Sequence, residues 1–294
     1  MPKRINRAIE LLELGQPIYY TGGHAGAELT YEAGREMAKT WADYINVGME
    51  HGCFDMTGLD NFMRGLVDGG PTNSGHRTPA VIVEAPVDGG SAEIIKYNAW
   101  QFRQILARGV HGILLCQAET PDAVKAFVEA CRFPFQTIGV GQGLDQGGRG
   151  NGSQATAAPI WGLDPDDYLD KADPWPLNPD GELFLGLKIE NKRALNVVEA
   201  TMTVPGIAFA EWGPGDQSMS HGYKKRPDPL PPELLAARNR VFDACRANGV
   251  AFLDGCGPEL AVERIEEGVM NLASNEETAR VGREHTKRAE VMAV

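Results

Sequence analysis

Residues 187–216 constrain the fold more than any other stretch, because they read as one strand–helix–strand unit with an acid just beyond each strand. In Gly186-Leu187-Lys188-Ile189-Glu190 successive side chains alternate between faces, so Lys188 and Glu190 share one side and Leu187 and Ile189 the other. Residues 192–202 follow with helical spacing, with Leu195, Val198 and Met202 on one stripe, and Val204-Pro205-Gly206 stops them. A second strand, residues 207–212, runs into Gly213-Pro214-Gly215-Asp216. Consecutive strands of a parallel barrel lie side by side, so Glu190 and Asp216 are expected to meet at its carboxyl-terminal mouth. Two carboxylates there suit a hard divalent cation that keeps positions open for water and substrate. The Gly-Pro-Gly-Asp turn also presents backbone N–H groups to an anion.

The same alternation runs along the rest of the chain. Residues 4–14 form an amphipathic helix with Ile5, Ala8, Ile9 and Leu12 on one stripe, placed to close a barrel floor. Further strands are predicted at 17–20, 44–48, 80–84, 112–116, 136–140 and 250–253, with helices at 27–41, 58–67, 92–107 and 121–131. Thr120 caps the last of these helices and Pro121 takes its first position. With the two strands of the opening unit the count is eight, the number a closed (β/α)8 TIM barrel requires. The expectation is an α/β fold with one barrel domain over residues 1–294 and a long loop after strand 5. That loop, residues 141–183, carries repeated Gly with Trp161 and Trp175. It is expected to cover the mouth or meet another subunit, and its Arg149 reads first as a solvated loop residue and alternatively as one that meets an anionic substrate. Residues 275–294 read as a C-terminal helix or tail.

Composition excludes several classes. A net charge of −12 gives no general nucleic-acid surface, since phosphate binding needs clustered Lys and Arg. Every apolar run breaks well short of the roughly 20 residues of a membrane span, and the basic start has no signal-peptide core. The five cysteines have no C-x-x-C spacing, which favours reduced thiols. The expectation is a cytoplasmic protein acting on small molecules.

A resemblance sharpens the reading. The runs Leu187-Lys188-Ile189-Glu190-Asn191, Val204-Pro205-Gly206-Ile207 and residues 213–222, with Gly48-Met49-Glu50-His51-Gly52 and residues 108–115, resemble the class II pyruvate aldolase family. That family includes 2,4-dihydroxyhept-2-ene-1,7-dioate aldolase and belongs to the HpcH/HpaI aldolase/citrate lyase superfamily. The likeness covers residues 9–262, and its motifs specify the family more than the substrate. It implies a homo-oligomeric carbon–carbon lyase that cleaves a 4-hydroxy-2-keto acid to pyruvate, or an analogue, and an aldehyde. Glu190 and Asp216 would hold Mg²⁺, Mn²⁺ or Co²⁺, and the backbone around Gly213, Pro214 and Gly215 would bind the substrate carboxylate. His51, just past the second strand, would be the base, a role a histidine can fill near neutrality. His24 and His221 are the other mouth histidines, and His111, at a strand start, is read as structural.

The chain departs from the family at three places. Glu84 stands where the family commonly has an enolate-stabilising Arg, Gly48 where it has an Asp that orients the base, and Lys188 where an uncharged residue is expected. Lys188 shares a face with Glu190, so it either replaces the missing cation, paired with Glu84, or forms a structural salt bridge. Schiff-base chemistry at Lys188 is a further reading. Two functional alternatives remain: a lyase on another acid or a CoA thioester, and a barrel that binds a metabolite without turnover.

Overall fold

Eight short strands close on themselves: β1 (Ile18–Gly23), β2 (Tyr44–Gly48), β3 (Ala80–Asp88), β4 (Gly112–Cys116), β5 (Gly186–Lys188), β6 (Phe209–Glu211), β7 (Ala251–Gly255) and β8 (Asn271–Ala273). They come from a computed structural model that describes residues 2–24 and 26–293. All pairings are parallel, and β8 meets β1 with Asn271 opposite Ile18 and Ala273 opposite Tyr20. The strands alternate as their sequences require. Ile18, Tyr20, Tyr44, Ala80, Ile82, Leu114, Phe209 and Leu253 pack inside the barrel with Phe184, whereas Ile45, Val47, Val81, Val83, Ile113, Leu115 and Leu187 pack outward against helices. Phe184 and Phe209 stack at 4.7 Å in the interior, and burying each such ring contributes on the order of 2–3 kcal/mol.

The helix Arg7–Glu13 closes the floor as its stripe implies. The Asn6 side chain caps it by accepting from the Ala8 and Ile9 N–H groups, and Ala8, Ile9 and Leu11 join the inner cluster. The helix Pro121–Cys131 likewise starts at Thr120, whose hydroxyl accepts from Ala123 N–H. Among the described residues no helix is long and apolar enough to cross a membrane.

Four expectations need correction. Residues 136–140 are not a strand: they turn around Arg132, whose guanidinium donates to the Ile138 carbonyl, and Phe135, Ile138 and Val140 remain exposed. The eighth strand is instead Asn271–Ala273, hidden in the sequence by its brevity and by inward-facing Asn271, which donates to the Tyr44 hydroxyl at 3.0 Å. The long segment 141–183 therefore lies between the helix after β4 and β5. It carries the helices Gln154–Trp161 and Pro165–Lys171 and packs toward the floor: Trp161 Nε1 donates to Gly109 O, and Glu182 accepts from Asn6 N–H. Arg149 is fully buried there against the Phe133 and Tyr168 rings, out of reach of a substrate at the mouth. The 192–202 helix breaks at Val197 into Lys192–Asn196 and Val198–Met202.

The C-terminal segment forms the helix Glu276–His285, anchored through a buried charge cluster. Asp43, just before β2, is fully buried and faces Arg7, Arg283 and Arg288 at 3.0–3.1 Å. Burial opposes its ionisation, but Arg288, Arg7 and Arg283 outweigh it and hold the carboxyl down at about 2. The contribution is thus present above the ordinary aspartate range and is lost as pH falls through about 2. Removing the carboxylate strands three buried guanidiniums. Asp43→Ala is expected to cost about 3–5 kcal/mol and to detach the C-terminal helix first, read by denaturant melts and amide exchange over residues 276–290; a melt within 1 °C of wild type would contradict this assignment.

Candidate active site at the barrel mouth

Above the aromatic interior the inward positions turn polar. Asn46 on β2, Glu84 on β3, Lys188 on β5 and Glu211 on β6 are all buried, each two residues beyond an apolar inward residue or a glycine on its strand. Lys188 Nζ lies 2.6 Å from Glu50 Oε2 and 3.3 Å from Glu84 Oε2. Lys188 thus points into the barrel and pairs with Glu84, as its shared face with Glu190 implies. Burial opposes the ammonium, but Cys116 and the carboxyls of Glu84, Glu190 and Glu211 outweigh it, and the group is held well above the usual lysine range. Glu84 Oε1 also accepts from Asn46 Nδ2 at 2.8 Å and lies 2.5 Å from His24 Nδ1.

Glu190 follows β5 and is almost fully buried. Its Oε1 accepts from the Gln117 N–H at 2.8 Å, and Gln117 takes a left-handed conformation (φ 48°) at this contact just past β4. Burial, with Glu50 and Glu211 nearby, pushes the Glu190 carboxyl up to about 9 despite Lys188. Gly213 closes over it from β6. A β-carbon at Gly213 would stand 2.2 Å from Glu190 Cβ, and the residue's φ of 55° also favours glycine. The helix Pro214–Ser220 begins here, placing Asp216 in its first turn.

Glu50 ties the acids together. Its carboxylate oxygen, the His51 ring and Asp216 offer ligand atoms within 4.8 Å of one another, and so do Glu50, Cys116 and Glu190. Contrary to the expectation from the sequence, Glu190 and Asp216 are not brought into one such cluster; each instead falls in a cluster with Glu50. His51 is exposed, with Nε2 3.6 Å from Glu50 Oε2. His221 is bonded through Nδ1 to Gln217 O at the end of its helix, and His111 is buried and stacked on Trp161. Asp88, at the end of β3, is raised by burial and then by Glu50, Glu119 and Asp216. Raised carboxyls at Asp88, Glu190 and Glu211 mark a mouth with more negative charge than its own cations neutralise. Oxygen donors with that surplus fit a hard divalent cation.

The sequence marks Glu84 as a partner for Lys188 but gives no role to Glu50 or Glu211 in this set. Strand parity was the available signal for Glu211, two residues after inward Phe209. No local signal marks Glu50, because its role depends on β5 and on the turn at Gly213.

The chain is a parallel β/α barrel whose carboxyl-terminal mouth gathers carboxylates around one buried ammonium. The chain belongs to the HpcH/HpaI aldolase/citrate lyase family, which matches residues 87–273. It is similar to the hydroxypyruvate/pyruvate aldolase of Roseobacter denitrificans, 28% identical over 160 residues that make up 53% of this chain and 55% of that one. The chain thus spans about half the length of the curated relatives it matches. A family protein from Burkholderia cenocepacia has the same fold, with a TM-score of 0.67 at 21% identity over 94% of this chain and 95% of that one. The citrate lyase beta subunit of M. tuberculosis, complexed with oxaloacetate and magnesium, has a TM-score of 0.51 at 14% identity over 92% of this chain and 96% of that one.

A cation held by the Glu190 carboxylate would have to displace its proton. Affinity for Mn²⁺ is expected to rise up to about tenfold per pH unit from neutrality to about 9 and then level, with proton release measurable by calorimetry in two buffers. An affinity flat over that range would remove Glu190 from the ligand set.

Proposed function

We propose that this protein is a divalent-cation-dependent aldolase, a carbon–carbon lyase cleaving or forming a 4-hydroxy-2-keto acid, with pyruvate or an analogue and an aldehyde as the other side of the reaction. The observation that carries this is the convergence of Glu50, Glu190 and Asp216 beside buried Lys188 at the mouth. Glu190 and Asp216 would hold Mg²⁺, Mn²⁺ or Co²⁺, with Glu50 adjoining both. When bound, the ion would supply Lewis-acid polarisation of the keto group, lowering the cost of an enolate.

The chain's own residues do the rest. The N–H groups of Gly215 and Asp216, in the first turn of their helix, are free of intrahelical partners and serve the substrate carboxylate, with Gly213 and Pro214 shaping the turn. His51, half-open to solvent, takes the proton of the 4-hydroxyl as the C3–C4 bond breaks, and the bonding pair passes to the C2 carbonyl to form an enolate. Lys188 takes over the positive charge that the family's Arg supplies. A lysine held protonated by Glu50 and Glu84 is a poor nucleophile, which counts against the Schiff-base reading. One barrel domain supplies all of these groups. The homo-oligomer belongs to the same reading, supported by the apolar surface of Ile94, Tyr97 and Trp100 exposed on the helix Ala92–Leu106.

Pyruvate release from a panel of 4-hydroxy-2-keto acids, coupled to lactate dehydrogenase, tests the reading. Release is expected with added cation and not with EDTA, and borohydride with pyruvate is expected to leave the protein mass unchanged. Lys188→Met is expected to lower kcat about 10²-fold or more while remaining folded. Cation-independent release accompanied by reductive trapping at Lys188 would overturn it, as would binding of keto acids with no product at any cation concentration.

A further inference from the structure

Retro-aldol cleavage needs two proton transfers: one leaves the 4-hydroxyl, and one arrives at C3 of the enolate. The mouth holds a second histidine that the family motif does not account for. His24 lies beyond β1, and its Nδ1 is fixed at 2.5 Å by Glu84 Oε1, itself held by Asn46 Nδ2 at 2.8 Å. The ring is 46% exposed, and its Nε2 has no partner among the described residues. A histidine with one nitrogen bound to a buried carboxylate and the other free is oriented for proton transfer. His51 is held less closely: it is 57% exposed, and its Nε2 stands 3.6 Å from Glu50 Oε2.

The departures at Gly48 and Glu84 are mechanically linked. A β-carbon at Gly48 would stand 2.2 Å from His24 O and 2.5 Å from Gly23 O, so no aspartate fits while the β1 loop lies where it does. The loop that displaces that acid also delivers His24 to Glu84, the residue standing where the family has Arg. The chain therefore carries a carboxylate–histidine pair at the junction of β1 and β3.

We propose that His24, positioned by Glu84, is the proton donor to C3 of the enolate, and the base for the reverse step. This rests on the aldolase reading above. The Nε2–H proton passes to C3, the C2=C3 pair forms the new C–H bond, the C2 carbonyl re-forms, and the neutral imidazole regains a proton from water at its exposed edge. The charged groups facing the ring agree with a donor role. The Glu84 hydrogen bond holds His24 above the usual histidine range against its partial burial, Glu211 adds to this, and Lys188 opposes it.

Exchange of the pyruvate methyl protons in D₂O, followed by NMR in the presence of Mg²⁺ or Mn²⁺, isolates this step, because it involves no 4-hydroxyl. His24→Asn and His24→Gln are each expected to slow exchange by about 10²-fold or more with the thermal melt preserved. In the wild type the rate rises with pH as His24 loses its proton; Glu84→Gln removes the interaction that raises its pKa, so that limb moves to lower pH, and in the His24 variants it disappears. A structural role for His24 would leave the limb in place. If the wild type releases pyruvate and both His24 variants keep its exchange rate and pH profile, the assignment falls and the aldolase reading stands. If the wild type neither releases pyruvate nor exchanges its protons, both fall.

Discussion

The architecture of the mouth depends on one buried ammonium among carboxylates. Lys188 is almost completely removed from water, which would be costly for an isolated charge, and it is tolerable because Glu50 and Glu84 both lie against it. The pairing works in both directions. Without Lys188, Glu50 and Glu84 would face Glu190 and Glu211 across a dry interior, and repulsion would open the mouth or drive the acids to protonate. With it, the strand ends of β3 and β5 and the segment beyond β2 are drawn to one point, and a surplus of negative charge is left facing outward. That surplus makes the site receptive to a divalent cation.

Two glycines let the charged groups approach so closely. At Gly213 the backbone passes over Glu190, and at Gly48 the β1 loop passes over β2; a β-carbon at either place would collide with backbone or with the β-carbon of a site residue. Side chains were given up at these positions so that the chain could bring acids and a histidine within hydrogen-bond range. Glu84 and Lys188 set a carboxylate on β3 against an ammonium at the end of β5. The two oxygens of Glu84 face different partners, Oε2 the Lys188 ammonium and Oε1 the His24 ring.

Much of the fold was legible because strand parity and helix caps are local. The β2 and β4 boundaries, the Thr120 cap and the floor helix follow from the spacing of apolar residues within about ten positions. The errors fell where tertiary contact overrides local pattern. Residues 136–140 look like a strand, yet Arg132 draws their carbonyls into a turn. Asn271–Ala273 lacks a strand's composition, and pairs because its neighbours β7 and β1 leave a gap that only a strand can fill. Residues 141–183 seemed free to cover the mouth, but Trp161 and Glu182 find partners at the opposite end of the barrel.

For the site, the sequence by itself determined the residue types and the strand ends that carry them: an acid after β5, an acid in the turn after β6, a histidine after β2, and a lysine on the inward face of β5. These follow from alternation and turn chemistry, which act over a few residues. Only the tertiary structure decided which of them meet. Glu50 lies within reach of both Glu190 and Asp216, and Glu84 serves His24 as well as Lys188, because closing the barrel brings together residues from 60 to more than 160 positions apart, while Arg149 is buried by the local fold of its own segment. No periodicity within a single element encodes those distances.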